Sequence, residues 1–205
     1  MTIAVINTST ANIASVLYAL DRLGAAYRLV DCPEEAQDCA RLILPGVGAA
    51  GPAMAALHKS GWVEVLRKET RPLLGICLGM QLLFDYSEES DVALLGLIPG
   101  RVERLKSEPK LVWPHMGWNA LEAVNSDEPL LNGVEPGARV YFVHGFYVKA
   151  GPACQAKAHY GDDITAIARQ GYIVGCQFHP ERSGAVGAKI LENFITNTTS
   201  AEARS

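Results

Sequence analysis

The stretch Gly75-Ile76-Cys77-Leu78-Gly79 joins a nucleophile to the kind of backbone that would present it. It has the form G-x-nucleophile-x-G, set between the apolar run Pro72 to Ile76 and the apolar, helix-like segment Leu78 to Phe84. A cysteine there sits on a sharp strand-to-helix turn, where flanking glycines are needed because the backbone passes too close for a Cβ. Such a turn lifts the thiol from the C-terminal edge of a sheet to a helix N-terminus, where the dipole favours thiolate. The Leu78 N–H would then face the oxygen of a carbonyl attacked by Cys77. A buried packing cysteine is the plainer reading of any free Cys, and the glycine bracket weighs against it here. Cys32, Cys39, Cys154 and Cys176 lack that bracket and read as small packing residues.

A nucleophilic thiol needs an imidazole in reach and often an acid to orient it. Five histidines compete. His58, in a helical Lys-flanked stretch, and His159, at a strand end, read as surface or structural residues. His115 and His144 lie in dense aromatic segments, Trp113 to Trp118 and Tyr141 to Phe146, and either could touch a ligand. His179 follows the apolar run Tyr172 to Phe178 and precedes Pro180-Glu181. Pro180 ends the strand, and an acid two residues on can take the imidazole N–H and hold its tautomer. An isolated His-Pro-Glu would more simply be a capped strand end, a reading that loses force beside Cys77. Cysteine, histidine and glutamate in that order imply acyl transfer through a thioester, with amide hydrolysis the natural example.

The elements that must position these residues follow from hydrophobic patterning. Thr2 to Asn7, Ala26 to Val30, Arg41 to Leu44 and Pro72 to Ile76 read as short buried strands. Ile13 to Leu23, closed by Gly24, and Trp62 to Leu66 read as helices. After Tyr86 the rhythm turns to strands: Arg101 to Leu105, Arg139 to Val143, Cys154 to His159, Thr165 to Arg169 and Tyr172 to Phe178. A helical pattern returns at Ala185 to Ile195, followed by a polar tail from Thr196. The expectation is an α/β fold, a mostly parallel wound sheet flanked by helices with a β-rich second half. With no repeat or linker, residues 1–205 read as a single domain.

Composition narrows the function. Eighteen Lys+Arg against 22 Asp+Glu give a net charge of -4 and no basic run, which argues against a nucleic-acid partner. The uncharged stretch Leu42 to Leu57 is shorter than the roughly 18 apolar residues a span needs and is broken by Pro45, Gly46, Gly48, Gly51 and Pro52. No membrane association is expected. The first basic residue is Arg22, so no signal-peptide n-region is visible. Five cysteines without metal-ligand spacing suit a reducing, cytoplasmic setting.

Gly75-Ile76-Cys77-Leu78-Gly79-Met80-Gln81 and Gln177-Phe178-His179-Pro180-Glu181 together resemble the two signatures of the class I (triad) glutamine amidotransferases. Leu44 to Ala49, Pro114-His115-Met116-Gly117-Trp118-Asn119 and Tyr141 to His144 narrow the resemblance to the glutaminase-subunit branch that serves imidazole glycerol phosphate formation. The resemblance implies hydrolysis of glutamine to glutamate, with ammonia passed to a (β/α)8-barrel cyclase subunit in a heterodimer. The products are imidazole glycerol phosphate, for histidine biosynthesis, and aminoimidazole carboxamide ribotide. No cofactor and no metal are implied. Carried over by motif, Cys77 is the nucleophile, His179 the base then acid, and Glu181 the orienting carboxylate. Gly46, Gly48, Gln81, Val143 and His144 fall where the family holds glutamine.

An oxyanion hole needs two donors. Leu78 supplies one, and the Val47 N–H is the candidate for the other, with Gly46 and Gly48 flanking its peptide so that it can rotate. A loaded partner would turn that N–H in. Asn12, Met116 and Trp118 are candidate partner contacts, core packing being the alternative for Trp118. The chain departs from the family at Asn7-Thr8-Ser9-Thr10-Ala11-Asn12, where the family has Asp-x-Gly-x-Gly-Asn. It departs again at Gly145-Phe146-Tyr147, where the family has Ser-Tyr-Tyr. Other readings are an amidotransferase serving a different acceptor, a non-catalytic binding subunit, and a free-standing cysteine hydrolase of small amides.

Overall fold

The computed structural model describes residues 1–8, 13–106 and 111–196. Ile3–Ile6 (β1) is buried along its whole length, as a strand covered on both faces must be. Helix α1 (Ile13–Arg22) turns Val16, Ala19 and Leu20 inward, and Gly24, at φ 64°, reverses the chain after it. Then come β2 (Tyr27–Val30), β3 (Arg41–Gly46), α2 (Ala50–Lys59), α3 (Trp62–Leu66), β4 (Leu73–Cys77) and α4 (Leu78–Gln81). The β-rich half follows: β5 (Tyr86–Ser87), β6 (Val92–Ala93), β7 (Arg101–Arg104), β8 (His115–Ala120), β9 (Glu122–Ala123), β10 (Arg139–His144), β11 (Phe146–Tyr147), β12 (Cys154–Tyr160), β13 (Asp162–Gln170) and β14 (Ile173–Cys176). Helix α5 (Gly184–Thr196) closes the described chain.

The eight-stranded sheet runs β2-β1-β3-β4-β14-β13-β12-β9. Its first five strands are parallel and the rest antiparallel. Trp62, Leu57 and Leu66 from α2 and α3 pack on one face. Val16 and Leu20 from α1 pack on the other with Ile190, Leu191 and Phe194 from α5. The fold is α/β, with the mixed sheet flanked by helices. Because β14 lies parallel to β4, with Cys176 opposite Ile76, both strands end at the same edge. That register brings two segments a hundred residues apart in sequence to one place.

The structure differs from the sequence reading in several places. The helix expected over Leu78 to Phe84 stops at Gln81. The Leu83 and Phe84 N–H groups bond three residues back, and the carbonyls of Leu82, Leu83 and Phe84 are taken by the N–H groups of residues 95–98. The sequence reading has no strand at β8, where Gly117 stands mid-strand at φ 139° and the apolar Met116 faces solvent. Cys32 is half-buried rather than packed inside, unlike Cys39, Cys154 and Cys176. Asn12 lies outside the described residues, as does the tail beyond Thr196. Among the described residues, no helix is long and apolar enough to cross a membrane.

Candidate active site

Cys77 ends β4 at φ 54° and ψ -110°, a conformation that costs a non-glycine residue about 1–3 kcal/mol. Pairing of β4 to β3 on one side and β14 on the other holds it there. The bracketing glycines are required by close approach. A Cβ on Gly75 would lie 2.6 Å from the Gly79 oxygen, and one on Gly79 would lie 1.7 Å from the Leu44 oxygen. With α4 only four residues long, its dipole contributes little at Cys77.

The Cys77 thiol donates to the Val143 carbonyl at 3.8 Å and accepts from Gln177 Nε2 at 3.9 Å. Gln177 is itself aimed by Gln81, whose Nε2 donates to Gln177 Oε1 at 3.0 Å and to the Phe146 carbonyl at 2.8 Å. Gln81 therefore has its amide N–H groups committed within the protein, leaving its oxygen as the atom for a ligand. Gln177 carries no role in the sequence reading, although it stands in the motif before His179.

His179 follows β14 and is fixed by its backbone. Its N–H donates to the Tyr141 carbonyl at 2.9 Å, and its carbonyl accepts from Ser183 Oγ at 2.7 Å. Its Nδ1 donates to Glu181 Oε1 at 2.7 Å, and both side chains are almost wholly buried. The carboxylate thus fixes the tautomer and leaves Nε2 as the working nitrogen. Nε2 is buried and has no formed hydrogen bond among the described residues. The Cys77 sulfur interacts with the ring from that side, too far or too oblique for a completed bond. Burial opposes charge on this ring, but the Cys77 sulfur and the Glu181 carboxylate outweigh it and raise the pKa to about 10. An imidazolium beside the sulfur is the state they favour.

These groups open on a cavity of about 260 Å³, bordered also by Val47, Gly48, Leu78 and Gln81. Val143 and His144 form its opposite wall. Gly46 does not reach it. That glycine borders an adjoining cleft of about 80 Å³ with Val16 and Arg182, on the other side of His179. Gly46 also pairs with Cys77 inside β3, and a Cβ on it would lie 2.9 Å from the Gly79 nitrogen and the Leu78 Cβ. Gly46 therefore has a packing role beside the flanking role expected of it. Gly48, at φ 94° with open space where its Cβ would be, holds a conformation that favours glycine.

Glu89 is a cavity residue that sequence reasoning missed. It lies in the charged run Glu88-Glu89-Ser90-Asp91, which carries no periodicity to set it apart from a solvated loop. Its Oε2 accepts from the Ala50 N–H at 2.9 Å, and burial raises its pKa. A carboxylate at the rim of such a cavity suits an ammonium group.

The departure at Gly145 has a steric reason. A Cβ there would meet the Trp113 ring at 2.7 Å, and Trp113 Nε1 donates to the Gly145 carbonyl at 3.1 Å. The space of the family's serine is filled by an indole. Met116 and Trp118 project from β8 with 62% and 48% of their surface exposed, so core packing does not account for Trp118. His58 and His159 are exposed, the latter paired with Asp163.

A model of the class-I glutamine amidotransferases matches residues 4–198. The chain belongs to the class-I glutamine amidotransferase family. Among curated proteins, an imidazole glycerol phosphate synthase subunit HisH from Xylella fastidiosa (strain Temecula1) is 51% identical over 193 residues, 94% of this chain and 96% of the relative. The imidazole glycerol phosphate synthase subunit HisH 2 of Legionella pneumophila (strain Paris) is 47% identical over 194 residues, 95% and 97% of the two chains. Among solved structures, one described as a glutamine amidotransferase superposes with TM-score 0.72 at 20% identity, covering 94% of this chain and 96% of that one. The structure of PurLQS from Thermotoga maritima gives TM-score 0.71 at 20% identity over the same shares. At that identity the likeness of these class-I amidotransferase folds is one of architecture.

Proposed function

We propose that this chain is the glutamine-hydrolysing subunit of an imidazole glycerol phosphate synthase and passes ammonia to a (β/α)8-barrel cyclase subunit in a heterodimer. The observation that carries the reading is the strained Cys77 elbow facing the unpartnered Nε2 of a His179 fixed by Glu181. The near-full-length likeness to HisH subunits supports the acceptor. No single feature of the cavity selects a different one.

Glutamine lies in the 260 Å³ cavity with its side-chain amide over Cys77. Its α-ammonium is held by Glu89, and the backbone of Val143 and His144 with the Gln81 oxygen complete the seat. His179, holding the thiol proton as an imidazolium, leaves the Cys77 sulfur to attack the amide carbon as thiolate. The tetrahedral oxyanion is met by the Leu78 N–H and, once the Gly46–Val47 peptide turns, by the Val47 N–H. Collapse expels ammonia, protonated by His179, and leaves a γ-glutamyl thioester. His179 then draws a proton from water, the resulting hydroxide displaces the sulfur, and glutamate leaves. The cleft beyond His179 gives ammonia a way out on the side away from glutamine. Exposed Met116 and Trp118 supply apolar surface for the partner.

The test is glutamate release from glutamine by the purified chain, alone and with the cyclase subunit carrying its nucleotide ligand. Slow release alone, rising by orders of magnitude with the loaded partner, is the expected result. No release in either mixture would overturn the reading.

A further inference from the structure

His115 is buried, with 3% of its surface exposed, and lies behind the cavity wall rather than in it. Its ring is stacked between Phe142, at 4.8 Å between centroids, and Tyr160, at 3.9 Å. A phenylalanine would fill such a slot without the desolvation that an imidazole pays there. The polar contact that the histidine gains is to His144, its partner across the β8–β10 pair, with Nδ1 and His144 Nε2 3.0 Å apart.

The protons on this pair can be placed. His144 Nδ1 lies 2.8 Å from the Phe146 carbonyl, which can only accept, so Nδ1 carries a hydrogen. Burial and the neighbouring His115 keep His144 neutral, its pKa pushed down to about 3, so its Nε2 bears the lone pair. His115 Nδ1 must then be the donor. The Phe146 carbonyl thus sets the tautomer, and the His115 donor satisfies the buried Nε2 lone pair and holds the ring against turning. The Phe146 oxygen also receives Gln81 Nε2. One donor thus fixes His144, and through the Phe146 carbonyl it steadies Gln81, both of which border the cavity.

We infer that His115 is a positioning residue for glutamine, holding the His144 ring by its Nε2 so that the cavity wall keeps its binding shape. The inference rests on the proposed glutaminase reading for its substrate and on the β8–β10 register for its geometry. The anchors of His179, Tyr141 and Ser183, stand outside the His115–His144–Phe146 chain, so the effect falls on binding more than on turnover.

His115→Phe keeps the stack and removes the donor, whereas His115→Asn places an amide N–H near the former Nδ1. Each is assayed in the full chain with the loaded cyclase subunit, and the hydrogen bond accepted by His144 Nε2 is read from its ¹⁵N shift. The expected result is a KM for glutamine raised about tenfold or more in His115→Phe, with kcat within about threefold, and recovery of most of the KM in His115→Asn. In the wild-type chain the His144 Nε2 resonance carries the upfield shift of an accepted hydrogen bond, which is lost in His115→Phe and regained in His115→Asn. An unchanged Nε2 resonance in His115→Phe, or equal effects on KM and kcat in both variants, would overturn the inference. Absence of glutamine turnover in the wild type would overturn the functional reading instead, while the NMR result still decides whether His115 holds the His144 ring.

Discussion

Gly79 on α4 and Leu44 on β3 approach so closely that a Cβ on the glycine would lie 1.7 Å from the Leu44 carbonyl oxygen. The obstacle is backbone in the middle of a paired strand and cannot move aside. Gly79→Ala should therefore lose more than about 3 kcal/mol of stability or fail to accumulate as folded protein, measured by urea unfolding. A loss under about 1 kcal/mol would mean that the elbow is looser than its geometry.

Gly48 is the contrasting glycine. Its φ of 94° strains any side chain, but no neighbour lies where a Cβ would go. Gly48→Val should cost about 1–3 kcal/mol and leave the chain folded. Partner-stimulated glutamate release should fall at least tenfold, while thiol reactivity of Cys77 is retained. Normal stimulation would remove the Val47 peptide from the oxyanion hole.

Glu181 holds the catalytic candidate His179 by one oxygen and helps to charge it. Glu181→Gln keeps an acceptor at Nδ1 and removes the negative charge, so the imidazolium is less favoured. The rate of Cys77 alkylation by iodoacetamide at pH 7 should drop, and kcat should fall by about 10²–10⁴. An unaltered pH profile of alkylation would show that Glu181 only orients the ring.

Glu89→Gln preserves an oxygen for the Ala50 N–H while discarding the charge facing the cavity. The KM for glutamine should rise by about tenfold or more, with kcat little changed. An equal loss in kcat would place Glu89 in the chemistry rather than in substrate capture.

Acid should weaken the fold before the carboxylates titrate. His115 and His144 have pKa values held down by burial to about 4 and about 3, against 6.5 when unfolded. A depressed folded value means stability that is complete above pH 6.5 and lost as pH falls toward 4, because the unfolded chain binds the protons first. The loss between pH 8 and pH 5 is on the order of 2 kcal/mol per ring. His115→Phe should flatten this decline in urea unfolding. A decline as steep as that of the wild type would contradict neutral burial of the pair.

The turns at Cys77 and His179 were legible because their residues encode backbone geometry. Glycines at 75 and 79 announce close approach, and Pro180 announces the end of a strand. Buried strands such as Ile3–Ile6 were legible from unbroken apolar runs. What escaped depends on register or on distant segments. The end of α4 at Gln81 goes with residues 95–98, which capture the carbonyls of Leu82, Leu83 and Phe84 just beyond it. His115 and His144 meet only because β8 pairs with β10, and β8 is disguised by Gly117. Glu89 reaches the cavity through a loop that carries no pattern, and the close packing of Gly46 against Leu78 and Gly79 depends on how β3 meets α4.

The central claim is that Cys77 forms a thioester with the γ-carbonyl of glutamine. The chain, with its loaded cyclase partner, is mixed with glutamine, quenched in acid during turnover and digested for mass spectrometry. The account predicts a γ-glutamyl adduct on the peptide carrying Cys77, lost on treatment with hydroxylamine and absent from Cys77→Ala, which releases no glutamate. Glutamate release by Cys77→Ala at the wild-type rate, or an adduct on another residue, would contradict it.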